Sequence, residues 1–292
     1  MKVAENIRFK TPRNAGFFHL DQPLASPSLW KRKQSAGRIT PAKQGAFEIK
    51  FLADESLAEQ LVATVSTRMQ LDPHADPQTL GYAIEGIYFE TPEFDVFKRT
   101  QGYSRRKFRI RKYGSGETMF LERKSKRQGV VTKRRCQLEW NELTHVLTNR
   151  LAIEPEETRS VEVPTDEHKQ SELSWFSSRI HRLRLRPTIC IAYERVAFLQ
   201  MEEDCPIRLT IDRGLSCCRF AHASFPAKLD YCRFLEGMCV IELKYRETMP
   251  GSFREWIDDF KLISQPVSKF RNAILATGLI ESLVTPPLDG VE

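Results

Sequence analysis

Residues 105–111 read Arg105-Arg106-Lys107-Phe108-Arg109-Ile110-Arg111. Side chains in a β-strand alternate between two faces. This stretch therefore sets Arg105, Lys107, Arg109 and Arg111 on one face and Phe108 and Ile110 on the other. Four cations in a row repel one another unless anions answer them. The pattern recurs nearby: Glu122, Lys124 and Lys126 share a face, as do Lys133 and Arg135. Further along come Tyr193 with Arg195, Arg208 with Thr210 and Asp212, and Glu242 with Lys244 around Leu243. For one strand, a solvated charged face over an apolar core face is explanation enough. Over so many strands, the pattern points to a sheet closed into a barrel, charged inside and apolar outside under helices. A lumen with excess positive charge needs an anion, because a buried unpaired cation is costly. Triphosphate or longer polyphosphate offers repeated oxygens to Arg forks and Lys point charges. The sparse carboxylates Glu48, Glu122 and Glu242 would then hold a divalent cation through oxygen.

The rest of the chain supplies the frame. Phe47-Glu48-Ile49-Lys50-Phe51 alternates as a strand, and Asp54 caps a helix running to about residue 69. Strands are expected at 82–89, 103–113, 118–126, 130–138, 186–199, 207–212 and 238–246, with Gly114-Ser115-Gly116 as a hairpin turn. Thr91-Pro92-Glu93 predicts a capped short helix to about residue 99. Longer helices are expected at 139–151 and 165–183. Two more close the chain: one opened by a capping box at Ser252-Phe253-Arg254-Glu255, one by Pro266. Trp175 and Trp256 sit at helical spacing and read as core. The expected fold class is α+β: a closed antiparallel β-barrel tunnel of about eight strands with helices packed outside.

Charge divides the 292 residues. Residues 1–44 hold nine Lys/Arg and two acids, so the whole excess of +7 lies there, and the remainder is neutral. This segment reads as a flexible basic arm, 45–285 as the tunnel domain and 286–292 as a tail. Within the neutral body, residues 98–135 have fifteen basic and two acidic residues, whereas 136–178 have three and nine. Such segregation marks a concentrated anion site. The seven cysteines form no CxxC pair and read as reduced thiols, and the six histidines show no metal spacing. No long apolar run predicts a membrane span, so a cytoplasmic location is expected, peripheral to the inner face of a membrane if a membrane-protein partner is engaged. Neutrality of the body and the lack of an aromatic stacking pattern argue against nucleic acid as partner.

Taken in order, several motifs resemble a known family. They are Phe47-Glu48-Ile49-Lys50-Phe51, Ile87-Tyr88-Phe89-Glu90-Thr91-Pro92, Arg109-Ile110-Arg111-Lys112-Tyr113-Gly114, Phe120-Leu121-Glu122-Arg123-Lys124, Tyr193-Glu194-Arg195-Val196-Ala197-Phe198, Arg208-Leu209-Thr210-Ile211-Asp212, Ile241-Glu242-Leu243-Lys244 and Ser268-Lys269-Phe270. Together they resemble the catalytic domain of the vacuolar transporter chaperone (VTC) polyphosphate polymerases, within the triphosphate tunnel metalloenzymes. The resemblance implies a tunnel that binds ATP and inorganic polyphosphate with Mn²⁺ or Mg²⁺ and transfers the γ-phosphoryl group to a chain end. Lys50, Arg109, Arg111, Lys124 and Arg195 are the candidate catalytic cations. Lys107, Lys133, Arg135, Tyr193, Arg208, Ser268 and Lys269 are the candidate substrate ligands. Glu242 is the main candidate metal ligand, with Glu122 and Glu48. Such transfer needs alignment and charge neutralisation more than a protein nucleophile.

Two positions depart from the family pattern. Ala46 stands where hydrolytic members carry the first Glu of a Glu-x-Glu-x-Lys strand, which disfavours a water-activating triphosphatase. Pro266 replaces a basic residue two before the Ser-Lys pair and lowers charge at a tunnel end. The alternatives to a polymerase are a triphosphate or nucleotide hydrolase and a non-catalytic polyphosphate-binding module.

Overall fold

A computed structural model describes residues 46–104, 106–116, 118–127, 130–139, 142, 167–202, 205–220 and 231–280. The expected arm, tail and most of the 139–151 helix lie outside them. Ten strands form one antiparallel sheet: β1 (Ala46–Asp54), β2 (Gln70–Leu71), β3 (Gly81–Glu90), β4 (Arg106–Tyr113), β5 (Met119–Arg127), β6 (Val130–Leu138), β7 (Arg186–Glu202), β8 (Cys205–Arg219), β9 (Cys232–Arg233) and β10 (Met238–Arg246). The main path runs β1-β10-β8-β7-β3-β4-β5-β6, with β2 beside β7 and β9 beside β8. Among the described residues five helices flank it: α1 (Glu55–Ser66), α2 (Asp95–Lys98), α3 (Glu167–Arg182), α4 (Gly251–Asp259) and α5 (Lys269–Ala276). None of the described helices is long and apolar enough to cross a membrane.

The expected closed barrel needs correction. Among the described residues no ladder joins β1 to β6, so the sheet is open by hydrogen bonding. The outer edge of β1 is occupied instead by the segment before α5, through a Phe51–Ser264 bridge and a bond from Gln265 N to the Lys50 carbonyl at 2.9 Å. The sheet nevertheless coils strongly. Lys124 on β5 reaches Glu48 on β1 at 2.9 Å, although β1 is first and β5 next to last in the order.

Apolar residues of the outer faces form two cores. Phe51, Ile241, Leu209 and Phe198 pack with Leu61 of α1 and with Phe253 and Trp256 of α4. Phe108, Ile110, Leu121 and Ile87 pack with Phe176 and Ile180 of α3 and with Phe270 and Ile274 of α5. Trp256 is core as expected. Trp175 is half-buried, packing edge-on to Phe176, with the Arg134 guanidinium 4.0 Å above its ring.

Local signals account for most boundaries. Asp54 Oδ1 accepts from Leu57 N at 2.7 Å and caps α1, an interaction worth about 1 kcal/mol. Gly114 takes the left-handed turn conformation at φ 56°. Three expected helix starts are displaced. At α2, the helix waits until Asp95 because the buried Glu90 carboxylate takes the N–H groups of Val96 and Phe97 at 2.8 Å and Phe94 turns left-handed. At α4, Pro250 precedes the first turn and Ser252 makes no cap. At α5, Ser268 is the cap, not the turn at Pro266.

Candidate active site

The inner face gathers side chains from all eight main-path strands and from the start of α5. On β1 and β10, Glu48, Lys50, Glu242 and Lys244 interlock. Lys50 joins both carboxylates, and Lys244 lies 2.9 Å from Glu242 and 3.6 Å from Glu48. Across β7 and β8, Arg195 forks onto Asp212 at 2.6 and 2.7 Å, and both are buried. Lys269 enters from α5, 2.6 Å from Asp212 and 3.4 Å from Glu242. Opposite, Glu122 on β5 is 1% exposed and ringed by Arg109 at 2.7 Å, Lys133 at 2.6 Å and Arg135 at 3.0 Å.

Tyrosines finish the lining. Arg109 donates to the Tyr88 hydroxyl at 3.2 Å, Arg111 to Tyr193 at 3.1 Å and Tyr113 at 3.5 Å, and Arg135 to Tyr113 at 2.9 Å. Arg111 is 6% exposed, and no carboxylate of the described residues lies within ion-pair distance of it. Its Nε has no acceptor, and neither has the buried Thr210 Oγ1. Lys107 donates to Ser268 Oγ at 3.0 Å.

These neighbours set the protonation states. Burial opposes every charge on this face, and the partners decide the outcome. Glu48 is penalised by burial and by Glu242, yet Lys244, Lys50 and Lys124 bring it down to about 2. Asp212 also falls to about 2, against burial, because Arg195 and Lys269 hold the carboxylate. Burial would raise the Tyr88 phenol, but Arg109, Arg111 and Lys107 draw it down to about 7. Burial lowers Lys107 to about 8 and Lys133 to about 8. For Arg111, burial opposes the charge while the Tyr193 and Tyr113 oxygens and Glu122 favour it, so it stays protonated.

The structure thus brings Lys50, Lys107, Arg109, Arg111, Lys124, Lys133, Arg135, Tyr193, Arg195, Ser268 and Lys269 onto one concave face. Arg208 shares the face but is engaged at its end, 2.9 Å from Asp72 and 3.1 Å from the Tyr82 hydroxyl. Lys244, Asp212, Tyr88 and Tyr113 belong to the site without having been assigned a role from sequence. Alternation placed Lys244 and Asp212 on the correct faces, and the same period-two rule applied to Ile87-Tyr88 would have found Tyr88.

The three candidate metal carboxylates do not form one ligand group. Among the described residues, no cluster of three His, Cys, Asp or Glu side chains is close enough to hold an ion. Glu48 and Glu242 share their lysines, whereas Glu122 is surrounded by cations and has the character of an ion-pair hub. The donor set still fits a hard divalent cation at Glu48 and Glu242. Such ions take one or two carboxylates and complete their shell with phosphate oxygens and water. Thr210, opposite Glu242 in the ladder, leaves an unpaired oxygen there.

The chain belongs to the VTC domain family, whose model matches residues 46–277. No curated protein matches the sequence. Among solved structures, a candidate adenylate cyclase from Bacillus halodurans is similar with TM-score 0.44 and 14% identity, covering 80% of this chain and 96% of that one. A candidate adenylyl cyclase from Hippeastrum with a dominant triphosphatase activity has TM-score 0.42 and 15% identity, over 84% and 99%. The PH1819 protein of Pyrococcus horikoshii has TM-score 0.37 and 14% identity, over 81% and 99%. At such scores the likeness assigns nothing to this chain.

Proposed function

We propose that the protein is an ATP-dependent polyphosphate polymerase that transfers the γ-phosphoryl group of ATP to the end of a phosphate chain and releases ADP. Membership of the VTC domain family supports this reading. The observation that carries it is Arg111: a buried guanidinium flanked by tyrosines, without a carboxylate partner among the described residues and with an orphan Nε. A buried charge in that state calls for an external anion. Arg109, Arg195, Lys50 and Lys269 lie around the same concavity, where each can share a phosphoryl oxygen with its present carboxylate.

In this reading Arg109, Arg111 and Arg195 orient the transferring group and offset charge on its oxygens. Tyr193 and Tyr88 hold the guanidinium planes by their hydroxyls. Lys107, Lys124, Lys133, Arg135, Ser268 and Lys269 align the rest of the phosphate chain, and Arg208 sits at the Tyr82 end. A divalent cation, Mn²⁺ or Mg²⁺, would be held by Glu242 and Glu48 and would supply charge neutralisation on phosphate oxygens. ATP and polyphosphate are the proposed partners, not nucleic acid. Purified protein incubated with ATP and Mn²⁺ should give a ladder of polyphosphate on a gel together with ADP. Orthophosphate as sole phosphate product would replace the polymerase with a hydrolase.

A further inference from the structure

At the end of the concave face nearest α5 lies a cavity of about 340 Å³. Its wall includes Arg99 just after α2, Ser104 before β4, Arg106 and Lys107 on β4, and Phe270 and Arg271 on α5. Four cationic residues line it and no carboxylate does. This sets it apart from the deeper site, where Glu48, Glu122, Asp212 and Glu242 answer most cations. Among the described residues, no acidic group lies within ion-pair distance of Arg99, Arg106, Lys107 or Arg271. Arg271 is fixed in place by a bond to the Phe97 carbonyl and by stacking 4.2 Å above the Phe97 ring. Lys107 lies 5.6 Å over the Phe270 ring and donates inward to Ser268. Lys107 therefore borders both the cavity and the inner face.

Like charges held together without a counter-ion favour an anion from solution. The anion must be multivalent to engage four separate cations, and elongated to reach from here to Lys107 and beyond. We propose that this cavity is a vestibule for the portion of a linear polyphosphate that extends out of the inner site, so that long chains are held more tightly than triphosphate. The proposal rests on the phosphate reading of the inner face and adds to it a chain-length preference located at Arg99 and Arg106. Arg99 is exposed and Arg106 half-buried, and neither is engaged in an ion pair among the described residues, so both can be neutralised without breaking one.

The test is calorimetric titration of the protein, without ATP, with sodium tripolyphosphate and separately with long-chain polyphosphate. Wild-type protein should bind the long chain more tightly. Arg99→Gln/Arg106→Gln should lose about tenfold in affinity for the long chain, the scale of charge-assisted bonds weakened by exposure. Its affinity for tripolyphosphate should stay unchanged, which also shows that the variant is folded. Equal losses for both ligands, or no loss for the long chain, would overturn the vestibule while leaving the inner site standing. Wild-type protein that binds neither phosphate would instead remove the reading on which the vestibule depends.

Discussion

Arg111→Met separates a functional cation from a structural one. Arg111 is 6% exposed, lacks a carboxylate partner among the described residues, and makes two tyrosine contacts, at 3.1 and 3.5 Å. Exchanging a buried ionic group for an apolar one of similar volume is commonly neutral or stabilising by about 1–4 kcal/mol. Loss of the donor to Tyr193 returns about 1 kcal/mol of that. Without phosphate the variant should therefore be more stable than wild type by roughly 1–2 kcal/mol, or about 2–4 °C in Tm. With phosphate that advantage should shrink by about 1.3–2.3 kcal/mol. Tripolyphosphate at about a hundred times its Kd stabilises wild type by roughly 2.7 kcal/mol. Loss of charge-assisted bonds worth about 1.5–3 kcal/mol weakens binding some ten- to hundredfold, so the same concentration should stabilise the variant by about 0.4–1.4 kcal/mol. Urea unfolding with and without tripolyphosphate measures both numbers. A variant destabilised by about 2 kcal/mol or more in the absence of phosphate would show that the Arg111 charge is satisfied within the fold, and the reasoning would be wrong.

Arg109→Ala and Lys124→Ala should each abolish polymer synthesis with circular dichroism unchanged, since Glu122 keeps Lys133 and Arg135 and Glu48 keeps Lys50; wild-type synthesis by either variant would refute the assignment. The Glu48 and Asp212 carboxyls, both held near 2, contribute stability that is complete above their unfolded values and disappears as pH falls toward 2. Urea midpoints measured from pH 5 downward should fall steeply, and Glu48→Gln should flatten the slope. One tyrosine should ionise near neutral pH in ultraviolet difference spectra, and tripolyphosphate should push it upward by adding negative charge beside Tyr88; an unchanged spectrum in Tyr88→Phe would contradict this. Chelation of divalent cations should stop synthesis yet leave tripolyphosphate binding detectable by calorimetry.

The inner face was legible in the sequence because strand alternation is a property of the backbone. Arg109, Arg111, Glu122 and Lys124 could share one face only if 105–111 and 120–126 were strands. The internal pairing was not legible. Lys269 meets Asp212 and Lys50 meets Glu242 across large sequence separations, and only the coiling of the sheet decides those distances. Sequence therefore overstated how many cations await an anion. The displaced helix starts share a cause, tertiary competition for local signals. Glu255, the expected second half of a capping box, pairs with Arg68 at 2.5 Å, and Ser252 Oγ is left without a bond. Residues 264–265 are drawn along the edge of β1, so the chain past Pro266 stays extended until Ser268. That same use of the β1 edge leaves the barrel open, which no local pattern encodes.

If the concave face takes a linear phosphate chain, diffraction from crystals grown with tripolyphosphate should show it there. Phosphoryl oxygens should lie within hydrogen-bonding distance of Arg111 Nε, with Arg109, Arg195 and Lys269 turned toward the ligand. Tripolyphosphate found on the outer surface, with the Arg195–Asp212 and Arg109–Glu122 pairs undisturbed and Arg111 still orphaned, would contradict that placement.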